Sequence, residues 1–128
     1  MIWLPTTDEV ILLHEKLVAA SGGSVGVRDR GLIESAVNRA AAAFGGVEAH
    51  RGIIAKASAI GCGLTQNHGF IDGNKRIGMA TMILILRRNG IQLSCSQADV
   101  VALGLEVAQG VADVESVQKW IEAHTAEE

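Results

Sequence analysis

The only proline in this chain stands at position 5, so beyond it no helix interior loses a backbone donor to a proline ring. What punctuates the rest is glycine, and between the glycines the apolar residues recur at spacings of three and four. Thr6-Thr7-Asp8-Glu9 forms a capping box, with Thr6 at N-cap and Glu9 three residues on. Val10, Leu13, Leu17 and Ala20 then fall on one helical face, and Ser21-Gly22-Gly23 stops the helix. After a glycine-rich loop, Asp29 can cap a second helix carrying Leu32, Ile33, Ala36, Val37 and Ala40, which Gly45-Gly46 closes.

A third helix is expected from about Arg51 to Asn67, with Ile53, Ala57, Ile60 and Leu64 on one face. Gly61 and Gly63 inside it cost about 1 kcal/mol each against alanine, a loss that close helix–helix approach would offset. A fourth runs from about Gly73 to Asn89. Its middle, Ile77 to Leu86, is apolar on nearly every side, which marks a buried helix. Arg87-Arg88 suit the negative end of its dipole, and Gly90 suits the residue after the cap. Two more helices follow, near Gln97–Gln109 with Ser96 as cap and Val114–His124 with Asp113 as cap. No stretch alternates with period two, so no sheet is expected. The reading is an all-α fold, a compact bundle of about six helices around one buried central helix, in a single domain spanning 1–128.

Composition narrows the function classes. Aromatics are 3% with no tyrosine, so the core is built from Ala, Leu, Ile and Val, with Trp3 and Trp120 capping opposite ends. A net charge of −3 supplies no field to recruit DNA or an anionic membrane, so no direct nucleic-acid or membrane partner is expected. Cys62 and Cys95 are too few for a disulfide framework and lie in no metal spacing; Cys62 is expected in the core. His14, His50 and His124 are expected at the surface. The first residues lack a basic segment, and the ten-residue run Ile77–Leu86 falls short of the ~20 a spanning helix needs, so a cytoplasmic location is the expectation.

One stretch carries chemistry: His68-Gly69-Phe70-Ile71-Asp72-Gly73-Asn74-Lys75-Arg76, at the mouth of the fourth helix. A helix N-terminus offers unpaired N–H groups and partial positive charge, which together bind anions. Gly73 allows close backbone approach, and Asn74, Lys75 and Arg76 add donors over the first turn. Two basic residues there oppose the helix dipole, which an anionic ligand would explain. Asp72 is a hard oxygen ligand suited to Mg²⁺, and His68 can accept a proton near neutral pH. Base, metal ligand and phosphate cradle are the parts that phosphoryl or nucleotidyl transfer to a hydroxyl needs. Taken singly, each has a plainer reading: His68 four residues after Leu64 as a core histidine, Asp72 as an N-cap, Lys75 and Arg76 as solvated charges, Phe70 as a packing anchor.

Together the residues resemble the core motif of the Fic/Doc (Fido) family in its Doc, or death-on-curing, branch, approximately H-x-F-x-(D/N)-(A/G)-N-K-R. Gly26-Val27-Arg28-Asp29-Arg30-Gly31-Leu32-Ile33-Glu34-Ser35-Ala36 is similar to the family's G-x-R-D-x-G-L-x-E-S-A segment, and Leu84–Gly90 to the end of its motif helix. The resemblance implies an all-α fold around the motif helix. It implies a toxin that moves a phosphoryl group from ATP, with Mg²⁺, to a Ser or Thr of a translation factor such as elongation factor Tu. His68 would be the general base, Asp72 the Mg²⁺ ligand, Gly73 and Asn74 the anion hole, and Lys75 and Arg76 the phosphate-neutralising cations. AMP-transferring relatives carry a second glycine where Lys75 stands, which is associated with the opposite sense of nucleotide binding. Gly69 stands where those relatives often have proline. Many relatives inhibit themselves with (S/T)-x-x-x-E-(G/N); no glutamate here precedes Gly or Asn, so restraint by a Phd-type antitoxin, docked between helices, is implied instead. The Ala40–Phe44 run with Gly45-Gly46 is either part of a target-docking flap or a plain helix end and loop. Nucleotidyl transfer by the same residues, and a catalytically silent binding or regulatory module, are the alternatives.

Overall fold

A computed structural model describes residues 1–126 and shows the expected helical bundle. Its helices are α1 (Thr7–Ser21), α2 (Arg30–Asn38), α3 (Gly52–Asn67), α4 (Asn74–Arg88), α5 (Gln97–Ala108) and α6 (Val114–His124). The four caps form as the side chains dictate. Thr6 Oγ1 accepts from Glu9 N at 3.1 Å while Glu9 Oε1 accepts from Thr6 N at 3.0 Å, and Ser96 and Asp99 repeat the box. Asp29 accepts from Leu32 N and Asp113 from Ser116 N. Arg87 and Arg88 fill the last turn of α4, and Gly90 follows at φ 84°.

The motif helix α4 is buried, but the helix enclosed on every side is α3, which touches α2, α4, α5 and α6. All residues from Ala55 to Thr65 are buried. Small side chains make this possible. A Cβ on Gly61 would stand 3.0 Å from Met82 Cβ on α4, and one on Gly63 would stand 3.0 Å from Ala36 Cβ on α2. The two glycines thus exchange helix propensity for close approach on opposite sides of one helix. Buried hydroxyls turn back on their own helix, Ser58 to the Ile54 carbonyl and Thr65 to the Gly61 carbonyl. Cys62 packs in this core as expected, its thiol pushed up to about 11 by burial.

Three expectations are corrected. First, α1 buries Val10, His14 and Val18, not the face through Leu13, Leu17 and Ala20; Leu13 and Leu17 are half-buried and Ala20 is exposed. Second, His14 is therefore a core residue, 2% exposed, rather than a surface one. Third, a small antiparallel hairpin, β1 (Ala43–Phe44) and β2 (Val47–Glu48), stands where no sheet was expected. Its strands are too short to show alternation. Gly45 and Gly46, at φ 59° and 81°, make the tight turn that needs two positive-φ residues. The second helix ends at Asn38 in a 3₁₀ turn, Arg39–Ala41, before this hairpin.

The buried Lys56 on α3 ties the hairpin's base. Its Nζ donates to the Ala40 carbonyl at 2.7 Å and the His50 carbonyl at 2.8 Å, one on each side of the hairpin, and lies 3.6 Å from Glu48. Trp3 and Trp120 are both half-buried against the core. His124 stacks on Trp120, and His50 is half-buried, so neither is a freely exposed surface histidine. Among the described residues no helix is long and apolar enough to cross a membrane.

Candidate phosphate-binding loop at the α3–α4 junction

The motif residues occupy the turn from the C-terminus of α3 into the N-terminus of α4, and two elements pin that turn in place. His68 ends α3 in the left-handed region at φ 53°, ψ 47°, the one non-glycine with positive φ among the described residues. That conformation turns the chain sharply off the helix, and a non-glycine there is strained. The His68 side chain is exposed, which removes the core-histidine reading. Its carbonyl accepts from Arg28 Nε at 2.7 Å.

The Gly26–Asp29 segment runs antiparallel beside the motif. Arg28 and Asp29 N–H groups both donate to the Gly69 carbonyl, Ile71 N donates to the Gly26 carbonyl, and Val27 pairs with Phe70. Gly69 is sterically required. A Cβ there would come within 2.5 Å of Ile33 Cγ1 and 3.3 Å of the Asp29 carbonyl oxygen. Phe70 is buried at 2% exposure and anchors the loop. So the similarity of Gly26–Ala36 to a family segment has a local cause: that segment is the strut that holds the motif.

Asn74 uses both ends of its amide on Phe70. Oδ1 accepts from Phe70 N and Nδ2 donates to the Phe70 carbonyl, each at 3.1 Å. The side chain is thereby tied into the loop, with one of its two Nδ2 hydrogens used on Phe70. The first intrahelical bond of α4 is Ile77 N to Gly73 O at 2.9 Å, so the N–H groups of Asn74, Lys75 and Arg76 precede the ladder. Gly73 at φ 75° makes the turn into them.

Asp72 is exposed, with its carboxylate over this helix start. Oδ2 accepts from Ser24 N at 3.1 Å and Oδ1 from Gly73 N at 2.8 Å. The Ser24 and Gly73 N–H bonds, with Arg76 and His14 nearby, hold its pKa below the usual carboxylate value, so it is anionic at neutral pH. Lys75 is exposed and makes no ion pair among the described residues. Arg76 reaches across to the end of α1, donating to Ser21 Oγ at 2.5 Å and the Gly22 carbonyl at 2.8 Å. Between them lies Gly23, where a Cβ would press on both Asp72 Oδ2 and the Arg76 guanidinium.

Among the described residues no three His, Cys, Asp or Glu side chains gather into a metal cage. A lone anionic carboxylate beside a helix N-terminus fits Mg²⁺, which keeps its waters and is held by one or two carboxylates plus substrate phosphates. Two shallow clefts of about 200 and 210 Å³ lie elsewhere, one lined by Ile83, Arg87 and Cys95 and the other by Trp3, Leu13 and Thr81. The motif itself is an open, exposed surface. His14, Arg28 and the Ser21–Ser24 turn are the supports that motif reading did not single out. Only the four-residue recurrence Val10–His14–Val18 pointed to the first of them.

The class this defines is an all-α domain whose buried helix opens on a charged turn braced by a glycine-rich strut. A model of the Fic/DOC family matches residues 4–86. The chain is 43% identical over 75 residues to "Toxin Doc" of Mycolicibacterium smegmatis, covering 59% of this chain and 58% of that protein. It is 30% identical over 110 residues to "Protein kinase doc" of Escherichia phage P1, covering 86% of each. The chain belongs to the Fic/Doc family and, with both relatives named Doc, to its Doc branch.

Proposed function

We propose that this chain is the toxin of a toxin–antitoxin pair and transfers the γ-phosphoryl group of a nucleoside triphosphate to a Ser or Thr hydroxyl of a protein target. The observation that carries the reading is one short turn that sets an exposed histidine, an anionic carboxylate, three helix N-terminal N–H groups and two cations side by side. The names of the two relatives, a toxin and a protein kinase, support it.

Each residue has a role that its chemistry suits. The His68 imidazole takes the proton of the attacking hydroxyl. The target oxygen forms a bond to the γ-phosphorus, the bond from that phosphorus to its bridging oxygen breaks, and a nucleoside diphosphate leaves. Gly73 and the backbone N–H groups of Asn74, Lys75 and Arg76 face the charge that builds on the phosphoryl oxygens, and the Lys75 and Arg76 side chains neutralise it. Asp72 would hold Mg²⁺, which supplies charge neutralisation to the phosphates when bound. The open surface around the motif suits a folded protein substrate better than a small acceptor. Elongation factor Tu is the target that the family resemblance implies, and a Phd-type antitoxin the partner.

The test is incubation with a bacterial translation extract and ATP labelled at the γ- or, separately, the α-phosphate. Label on a target from the γ position alone, absent with His68→Ala, is the expected result. Label from the α position would replace phosphoryl by nucleotidyl transfer. Label from neither, with the target's partner nucleotides varied, would return the chain to a binding module.

A further inference from the structure

His14 is buried under the motif and has no place in the reaction just described. Its ring stacks on Phe70 with centroids 3.9 Å apart and planes 15° apart. Its Nε2 lies 2.7 Å from the carbonyl oxygen of Asp72. A carbonyl only accepts, so Nε2 carries the hydrogen and donates. The same nitrogen would stand 3.5 Å from a Cβ on Gly73, so the imidazole lies directly beneath the Asp72–Gly73 peptide.

An imidazole is an odd choice for an apolar helix face shared with Val10 and Val18. Its space could be filled by packing alone, and a buried polar ring is costly unless it is hydrogen-bonded. What it adds over a phenyl ring is one directed N–H. That N–H meets the carbonyl of the residue whose carboxylate overhangs the helix start, one peptide before Gly73 turns at φ 75°. The remaining bonds to Asp72 come from Ser24 and Gly73, both in exposed or partly exposed turns. The link from α1 is the only one of the three anchored in the core.

We propose that His14 is a positioning residue: through its N–H it sets the Asp72 peptide, and with it the aim of the carboxylate and of the first-turn N–H groups of α4. The proposal rests on the reading of this loop as the phosphate site. Misplacing such a loop by a fraction of an ångström costs turnover while leaving the fold intact.

The experiment compares the full chain with His14→Phe and His14→Leu, which lose the donor, and with His14→Gln, whose amide nitrogen reaches about as far as Nε2. Thermal unfolding first gives the temperature at which each is folded. At that temperature, amide exchange across residues 69–75 and steady-state γ-phosphoryl transfer are measured. Expected is a rise of about tenfold or more in loop exchange, beyond that of the core helices, for the donor-deleted variants. With it, kcat falls about tenfold or more at little change in KM for the protein target, and His14→Gln restores both. The leucine variant carries the donor-deleted arm if the phenylalanine variant does not fold. Loop exchange that matches the unmodified chain, or that rises only in step with global instability in all variants, overturns the proposal. If the unmodified chain transfers no phosphoryl group while loop exchange follows the donor, the reaction assigned above fails and the positioning role stands.

Discussion

Gly78 lies where α4 crosses α3, and a methyl group there has nowhere to go. A Cβ on it would overlap Thr65 Oγ1 and come within 2.7 Å of the Gly61 carbonyl oxygen and 3.1 Å of Thr65 N. Two of those three neighbours are backbone atoms of the most enclosed helix, so they cannot yield by a rotamer change. Gly78→Ala gains about 1 kcal/mol of helix propensity. Against this, overpacking costs about 1–3 kcal/mol where side chains can adjust, and more against backbone. A net loss of about 2 kcal/mol follows, or roughly 6–10 °C in Tm for a domain of this size. Gly104→Ala on α5 is the control. There the nearest atom is Met79 Cγ at 3.1 Å, part of a flexible side chain, and Lys75 Cβ is 3.9 Å away. The same propensity gain should leave that variant neutral or up to about 1 kcal/mol more stable. Urea unfolding of both, compared at equal m-value, is the assay. If Gly78→Ala proves as stable as Gly104→Ala, the argument that α3 and α4 touch through their glycines is wrong.

His68→Gly should abolish transfer yet raise stability by about 0.5–1 kcal/mol, because glycine occupies φ 53° without strain; a less stable variant in thermal unfolding would refute the strain argument. Lys56→Met should cost about 2 kcal/mol, leave the Ala40 and His50 carbonyls without their donor, and speed amide exchange across residues 43–48 more than across α3. On acidification, Asp99 and Asp113 matter. Hydrogen bonds from Ser96 and Ser116 respectively, the backbone N–H first, hold their folded pKa values below the ordinary carboxylate value. A depressed folded pKa contributes stability that is complete above the unfolded value near 3.9 and is lost as pH falls through the folded one. Unfolding by urea should therefore ease below about pH 4, and replacing both residues with asparagine should flatten that dependence.

Much of this was legible because it is local. Caps at Thr6, Asp29, Ser96 and Asp113 depend on a side chain and an N–H three residues away, and they form as read. The turn from His68 to Arg76 is contiguous, so its residue types and its place at a helix start could be read without knowing the fold. The glycines of α3 signalled close packing before any neighbour was known.

What escaped reading is what depends on partners distant in the chain. The face α1 buries is decided 58 residues away, where the Asp72 carbonyl offers His14 a bond that an exposed site would not need. That Asn74 ties both ends of its amide to the Phe70 backbone was not legible, because only the folded turn brings them into register. The hairpin is held by a lysine on another helix, whose ammonium meets carbonyls at both of its ends. Local rules govern caps, periods and motif chemistry because those interactions span three or four residues. Only tertiary packing decides which face is buried and which polar group is spent on structure, because those choices belong to whichever distant atom arrives to complete the bond.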